Sequence, residues 1–366
     1  GFDMWRMRRF VFSLAATMLV AISIAAPASA DGTETLGPPS TTVANGTGVT
    51  VGGIGMFDQP AELSITVPDG VTIEQVLLYW EAGHRHGDTS GEGADETMQV
   101  NGIEVQADNH IGGPTFFYGS DTGEVLSLTH RVDITSLGIV GAGTTVLTVS
   151  GLDTDEVTDG AGIVVIYSEP GIEPFPIQLL DGNDIAFVDF EAPRDTTVPQ
   201  TFTFAAADVD RVANLSMIVS SLHDPVGGSN SRPNVMVTTV AGESTRLVDP
   251  FPDTQGREMD TGEFAVPIPA GATELTVQML SEHVEGVEGL PASLVWLVAA
   301  VALAPAPQPT TTTQGAGVLP DSAVAPSSTE LAFTGSDSSS GPTVALGIAA
   351  VAAGVALVWV ARRRLS

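Results

Sequence analysis

The sequence predicts an all-β fold built as two related β-sandwich modules. Three observations carry that prediction. Between residues 49 and 304, short runs alternate apolar and polar side chains with period two, and none sustains a helical period. Turn signals separate the runs: Pro68-Asp69-Gly70, Asn101-Gly102, Gly112-Gly113, Asp181-Gly182-Asn183 and Gly227-Gly228. Finally, the two halves repeat. "VGAGTTVLTVSGLDTDEVTDGAGIVVIYS" (140–168) parallels "IPAGATELTVQMLSEHVEGVEGLPASLVWLVAAV" (268–301), each a small-residue turn, an alternating strand, an acidic loop and an apolar strand. "QVLLYWEAG…ETMQVNGIEV" parallels "NLSMIVSSL…RPNVMVTTVAG" in the same order.

The elements follow in chain order. Residues 1–30 form a signal peptide: Arg6, Arg8 and Arg9 precede an apolar stretch from Phe10 to Ala26. Ala28-Ser29-Ala30 is the small-residue cleavage site, and Asp31 becomes the first mature residue. Residues 31–48 are expected to be a flexible leader. The first module spans 49–169, with strands in "AELSITVP", "QVLLYWEA", "ETMQVNGIEV", "TTVLTVSGL" and "AGIVVIYS". The second spans 170–304, with strands in "QTFTFAAA", "NLSMIVSSL", "NVMVTTVAG", "TELTVQML" and "SLVWLVAAVAL". The last of these is apolar almost throughout, which places it at a sheet centre with both faces covered. Two sandwiches, or one large sandwich whose halves share a core, both satisfy the pattern. Residues 305–330 are rich in Pro, Thr, Ser, Ala and Gly and nearly free of charge, so they cannot bury a core and form a disordered stalk.

Residues 343–361 are 19 mostly apolar residues, long enough to cross a bilayer as a transmembrane helix at ~1.5 Å per residue. Arg362, Arg363 and Arg364 follow and hold the end on the cytoplasmic side.

Composition narrows function. The chain of 366 residues carries a formal charge of −31. Residues 31–334 hold only seven arginines against 42 acids. Such a surface repels nucleic acid and anionic lipid. The chain has no cysteine, hence no disulfide and no thiol chemistry. It also has no lysine, which excludes a lysine Schiff base and any lysine isopeptide crosslink. No nucleophile elbow, phosphate loop or dinucleotide fingerprint is present, and the reading is non-enzymatic.

Three local patterns bear on binding. In "GLDTDEVTDGAG" (151–162), Asp153, Asp155, Glu156 and Asp159 are candidate calcium ligands, because calcium takes six to eight hard oxygens. The glycine and terminal glutamate of an EF-hand are missing, and a solvated acidic loop is the plainer reading. His84 and His86, with His110 or His130, could hold zinc or line an exposed loop. Tyr79 and Trp80 could stack on sugar or fill the core.

The C-terminal end carries a resemblance. Leu331-Ala332-Phe333-Thr334-Gly335, a serine-rich spacer, the apolar run and the arginine tail stand in that order. This resembles the sorting signal of cell-wall proteins of Gram-positive bacteria, in the Leu-Ala-any-Thr-Gly form read by class E sortases of actinobacteria. The resemblance implies cleavage between Thr334 and Gly335 by the sortase, a thioester on Thr334, and transfer to a peptidoglycan or other cell-wall amine. It implies a surface location in the cell wall, reached through a membrane-held precursor with the ectodomain outside. Without lysine, the chain does not fit a polymerising pilus shaft. The stretch "GGIGMFDQPAELSITVPDGVTIEQVLLYW" is similar to β-rich domains of actinobacterial surface proteins, which implies location and fold but no chemistry. The expected role is adhesion, envelope structure or capture of an extracellular ligand. The alternatives are a carbohydrate-binding or carbohydrate-active surface protein, or an ectodomain left on its membrane tail.

Overall fold

Alternation in the sequence becomes alternation in burial. Along "AELSITV", Leu63, Ile65 and Val67 are buried while Glu62, Ser64 and Thr66 face solvent. The computed structural model describes residues 34–85, 96–120, 123–152, 157–223 and 232–306. Among the described residues the helical structure is one 3-10 turn, Thr135–Leu137, and the other regular elements are strands.

The first half supplies β1 (Asn45–Gly46), β2 (Gly48–Gly55), β3 (Ala61–Val67), β4 (Thr72–Arg85) and β5 (Thr97–Val100). It continues with β6 (Ile103–Gln106), β7 (Asn109–Ser120), β8 (Gly123–Asp133), β9 (Gly143–Ser150) and β10 (Val157–Ser168). The second half supplies β11 (Phe175–Pro176), β12 (Gln178–Ile185), β13 (Gln200–Thr203), β14 (Arg211–Ser220) and β15 (Val235–Val240). It ends with β16 (Glu243–Val248), β17 (Met259–Ile268), β18 (Glu274–Leu280) and β19 (Val295–Ala302).

The first half forms sheets ordered β2-β10-β4-β8-β7 and β3-β9-β5-β6; the second forms β12-β19-β14-β17 and β13-β18-β15-β16. With β7 set aside, the two orders correspond strand for strand. Eight strands in two antiparallel four-stranded sheets with this order make a jelly roll. The repeat legible in the sequence is therefore a repeat of topology. β1 and β11 pair with each other where the chain passes from one roll to the next.

Each roll has its own core. Leu63, Ile65, Leu78, Trp80, Leu147, Val149 and Ile163 belong to the first, and Phe202, Leu215, Met217, Phe251, Leu275 and Trp296 to the second. A third apolar layer joins them. Leu77, Tyr79, Val164 and Ile166 of the first roll meet Ile218, Val295, Val298 and Ala300 of the second. The sheets containing β10 and β19 thus face each other across a seam. This explains why both strands are apolar on both faces: β19 is buried along its whole length, between β12 and β14. The choice between two sandwiches and one shared core resolves into separate cores with a third between them.

The seam is close because its floor lacks side chains. Gly55 lies opposite Gly160 and Gly53 opposite Gly162 in the β2–β10 pairing. A Cβ on Gly162 would sit 2.8 Å from the Ile218 side chain, and one on Gly55 only 1.6 Å from the Arg257 carbonyl oxygen. Gly55 N–H donates to the Gln255 carbonyl at 2.8 Å, so backbone meets backbone across the seam.

Residues 34–44, expected as part of a loose leader, instead form a strap. Leu36 is 3% exposed and belongs to the second roll's core. Gly37 and Asp181 exchange two backbone hydrogen bonds of 2.9 Å. Gln200 Nε2 donates to Thr35 Oγ1 at 2.7 Å, and Ala44 N–H donates to Gln75 of the first roll at 2.9 Å. Leu36, with Val43 and Ala44 packed against the seam layer, and a few hydrogen bonds hold the segment that composition alone marks as loose.

Candidate functional site

Along β4 the seam-facing positions are Leu77, Tyr79 and Glu81, while Leu78 and Trp80 point into the first roll's core. The seam therefore turns from apolar to ionisable along the strand. Pairing sets Arg131 of β8 beside Tyr79 and Thr129 beside Glu81. Asp181 and Asn183 of β12 cover them from the second roll, giving two polar knots.

The first knot is an ion pair. Arg131 Nη1 meets Asp181 Oδ2 at 2.6 Å, both side chains buried. Tyr79 OH donates to the same oxygen at 3.2 Å, and Arg131 Nη2 donates to Ser40 Oγ of the strap at 2.7 Å. Burial raises the Asp181 carboxyl above its ordinary range, opposed by Arg131. Burial and then Asp181 push the Tyr79 phenol up.

The second knot is carboxyl-rich. Ser127 Oγ bonds Glu81 Oε1 and also lies 3.0 Å from Asn183 Oδ1. Asn183 Nδ2 donates to the Ser127 carbonyl at 2.9 Å, fixing the amide. Asp159 of β10 lies beside Glu81 and close to Ser220 and Ser221 of the second roll. Burial, then the charge of Glu81, holds the Asp159 carboxyl well above the usual carboxylate range. Behind them, His223 N–H donates to Glu258 Oε2 at 3.1 Å. His223 Nδ1 lies 2.6 Å from Asp253 Oδ2, and Glu258 N–H donates to Asp253 Oδ1 at 2.9 Å. Burial, with Asp159 adding to it, pushes Glu258 up to about 8. Burial also raises Asp253 and Asp260. Ser221 (φ 57°), Asp253 (φ 56°) and Glu258 (φ 83°) adopt left-handed backbone, a strained conformation for non-glycine residues.

Chemically, this group can hold and exchange protons. It is closed to solvent: Glu81 and Asp159 are each 2% exposed, His223 and Glu258 each 5%. Among the described residues, no group of three or more His, Asp or Glu is arranged to hold a metal ion.

The residues singled out by sequence fall as follows. Of the calcium candidates, Asp159 lies within a strand and faces the seam; Asp153, Asp155 and Glu156 lie outside the described residues. Tyr79 and Trp80 are both fully buried on opposite faces of β4, Trp80 stacked on His130 with centroids 5.4 Å apart. That geometry removes both from any sugar platform and fits the core-filling reading. His86 and the side chains of His84 and His110 are outside what is described, as are Ala28, Ala30, Asp31, the sorting pentad Leu331–Gly335 and residues 343–361. Among the described residues, no helix is long and apolar enough to cross a membrane. Sequence reasoning missed Glu81, Ser127, Arg131, Asp181, Asn183 and Glu258. The signal available was acids and amides placed at apolar-phase positions of otherwise β-like runs.

No family model and no curated protein matches the chain. Several solved structures show similarity, among them the following three. PNGase F, a glycosylasparaginase from Flavobacterium meningosepticum, is 11% identical with a TM-score of 0.25, over 72% of this chain and 94% of that one. The plant receptor-like kinase FER is 11% identical with a TM-score of 0.22, over 73% and 90%. PNGF-II is 11% identical with a TM-score of 0.23, over 73% and 58%. Likeness at these scores carries no argument for this chain.

Proposed function

We propose that the chain is an exported surface protein, joined by a sortase through Thr334 to a cell-wall amine of an actinobacterium, that displays a non-catalytic double jelly roll. The observation that carries the reading is the order of the C-terminal parts: pentad, polar spacer, 19-residue apolar run, three arginines. The leader at the other end supports it. β19 begins at Val295 opposite Ser220, near the carboxyl knot, and ends at Ala302 opposite Asn214. Arg211 Nη1 then donates to the Ala304 carbonyl at 3.4 Å. The described chain thus ends, at residue 306, away from the knot. A role in contact rather than turnover fits the closure of every described carboxyl–imidazole group in the seam. The partner on the outer side is an extracellular ligand or neighbouring envelope component.

The test is the mass of the C-terminal peptide released from muramidase-digested wall. A peptide ending at Thr334 and carrying a peptidoglycan stem fragment is the expected result. A peptide running through Gly335 into residues 343–361 would overturn wall linkage and leave a membrane-held ectodomain. Hydrolysis of any glycan by the purified protein would overturn the non-catalytic part.

A further inference from the structure

The turn that leaves β16 holds a strained bond, apart from both knots. Asp249 adopts φ 52°, and Pro250 follows it. A proline pushes the residue before it to extended backbone, so a left-handed aspartate in that place is costly. Its neighbours keep it there. Asp249 N–H donates to the Asn234 carbonyl at 2.7 Å, one step past the last β15–β16 pair, Val235 with Val248. Asn234 Nδ2 donates to the Phe251 carbonyl at 2.7 Å and lies 3.4 Å from Asp249 Oδ1. Phe251 N–H donates to Asn234 Oδ1 at 3.4 Å. Asn234 and Phe251 are both fully buried, and the Phe251 ring meets Phe264 edge-on with centroids 5.6 Å apart. One buried residue thus fixes the chain on both sides of the Asp249–Pro250 bond. Asp249 and Pro250 themselves are half-buried, within reach of water.

Aspartate before proline has a chemistry of its own. The side-chain carboxyl reaches the carbonyl carbon of its own residue through a five-membered ring. The usual competitor, attack of the next backbone nitrogen on the side chain, is closed because proline has no N–H. In the step, a carboxyl oxygen of Asp249 bonds to the Asp249 carbonyl carbon. The carbon–nitrogen bond to Pro250 breaks, the nitrogen keeps the electron pair, and the carboxyl proton passes to it. The products are a cyclic anhydride at Asp249 and a free amine at Pro250. One water then opens the anhydride to two carboxyls. The net change is hydrolysis of one peptide bond with one water consumed. Burial raises the Asp249 carboxyl above its ordinary range, opposed by the Asn234 bond, which favours the proton the step needs.

We propose that Asp249–Pro250 is a self-cleavage site of the folded chain. The observation underneath is the left-handed aspartate before proline, clamped on both sides by Asn234. Departure of Pro250 relieves the strain, so the native fold speeds the step instead of shielding the bond. The two parts stay interleaved after the cut. β14 of the first part lies between β17 and β19 of the second, and β15 of the first pairs with β18 of the second. The product is one folded body made of two chains. The site does not rest on the wall-linkage reading.

Incubation of the purified full chain at one fixed, mildly acidic pH, folded and in urea, tests it, with fragments identified by mass. The other Asp-Pro pair, Asp224-Pro225, lies outside the described residues and serves as an internal reference for the unfolded chain. The folded chain should give one fragment ending at Asp249 and one beginning at Pro250. The rate should exceed that of the same bond in urea by about tenfold, within what backbone strain of this kind supplies. In urea the two Asp-Pro bonds should part at like rates. Asp249→Asn keeps an acceptor for Asn234 but removes the attacking acid, and should stay whole at this bond. An uncut Asp249–Pro250 bond in the folded wild type, a folded rate no greater than the urea rate, or equal cutting in Asp249→Asn would each overturn the proposal. If the Asn variant does not fold, the folded and unfolded wild-type rates decide alone.

Discussion

Asp184 offers a sharp energetic test. Its carboxyl is 2% exposed, and its Oδ2 accepts Val198 N–H at 2.9 Å. Burial pushes it up to about 8, with nearby Glu34 adding to the rise and the Val198 bond opposing it. In the unfolded chain an aspartate titrates near ~3.9. Between these values the folded state holds a proton that the unfolded state lacks. Stability from this group is complete below pH ~4 and falls as pH rises toward 8, by about 1.4 kcal/mol per unit. From pH 5 to 7 the loss is about 2.7 kcal/mol. Asp184→Asn imitates the protonated carboxyl, keeping an acceptor for Val198 N–H. It should exceed the wild type by about 1.5 kcal/mol at pH 5 and by about 4 kcal/mol at pH 7. Urea unfolding of the full chain at pH 5, 6 and 7 gives the comparison, followed by fluorescence of the buried Trp80 and Trp296. An Asn variant with the wild-type pH slope, or one weaker than the wild type at pH 7, would refute the reasoning.

Other consequences can be checked the same way. Gly55→Ala puts a methyl against the Arg257 carbonyl, so the urea midpoint should fall by the equivalent of about 1–3 kcal/mol; an unchanged midpoint would mean the seam is looser than described. Leu36→Ala empties a site in the second roll's core and should cost about 2–5 kcal/mol, whereas a near-neutral result would mean the strap is dispensable. Asp181→Ala strands the buried Arg131 charge and should cost about 3–5 kcal/mol; the pair replacement Arg131→Met with Asp181→Leu should cost less, and equal costs would argue against an ion pair.

The strands legible in the sequence were those with one face on a core and one in water, such as "AELSITV" and "TTVLTVSGL". The duplication was legible too, since β9–β10 and β18–β19 repeat one pattern. What escaped had two causes. β2, "GVTVGGIG", is half glycine because other backbone and side chains come too close: the second roll at Gly53 and Gly55, and Tyr167 and Ser64 of its own roll at Gly48 and Gly52. β8, "GEVLSLTHRVD", buries Ser127, Thr129 and Arg131 in the seam, so residues that read as solvent-facing are covered by a second roll. A seam between domains inverts the rule that links polarity to exposure. For the same reason Asp159, placed by its neighbours in an acidic loop, is an interior group of β10.

The position of β19 has a mechanical consequence. Its eight residues are hydrogen-bonded antiparallel to β12 on one side and β14 on the other. Tension entering from residue 306 runs along this central strand. Its hydrogen bonds lie across that pull, so many share the load at once instead of parting singly from one end. A force that would peel an edge strand open must here slide a buried strand out from between two neighbours.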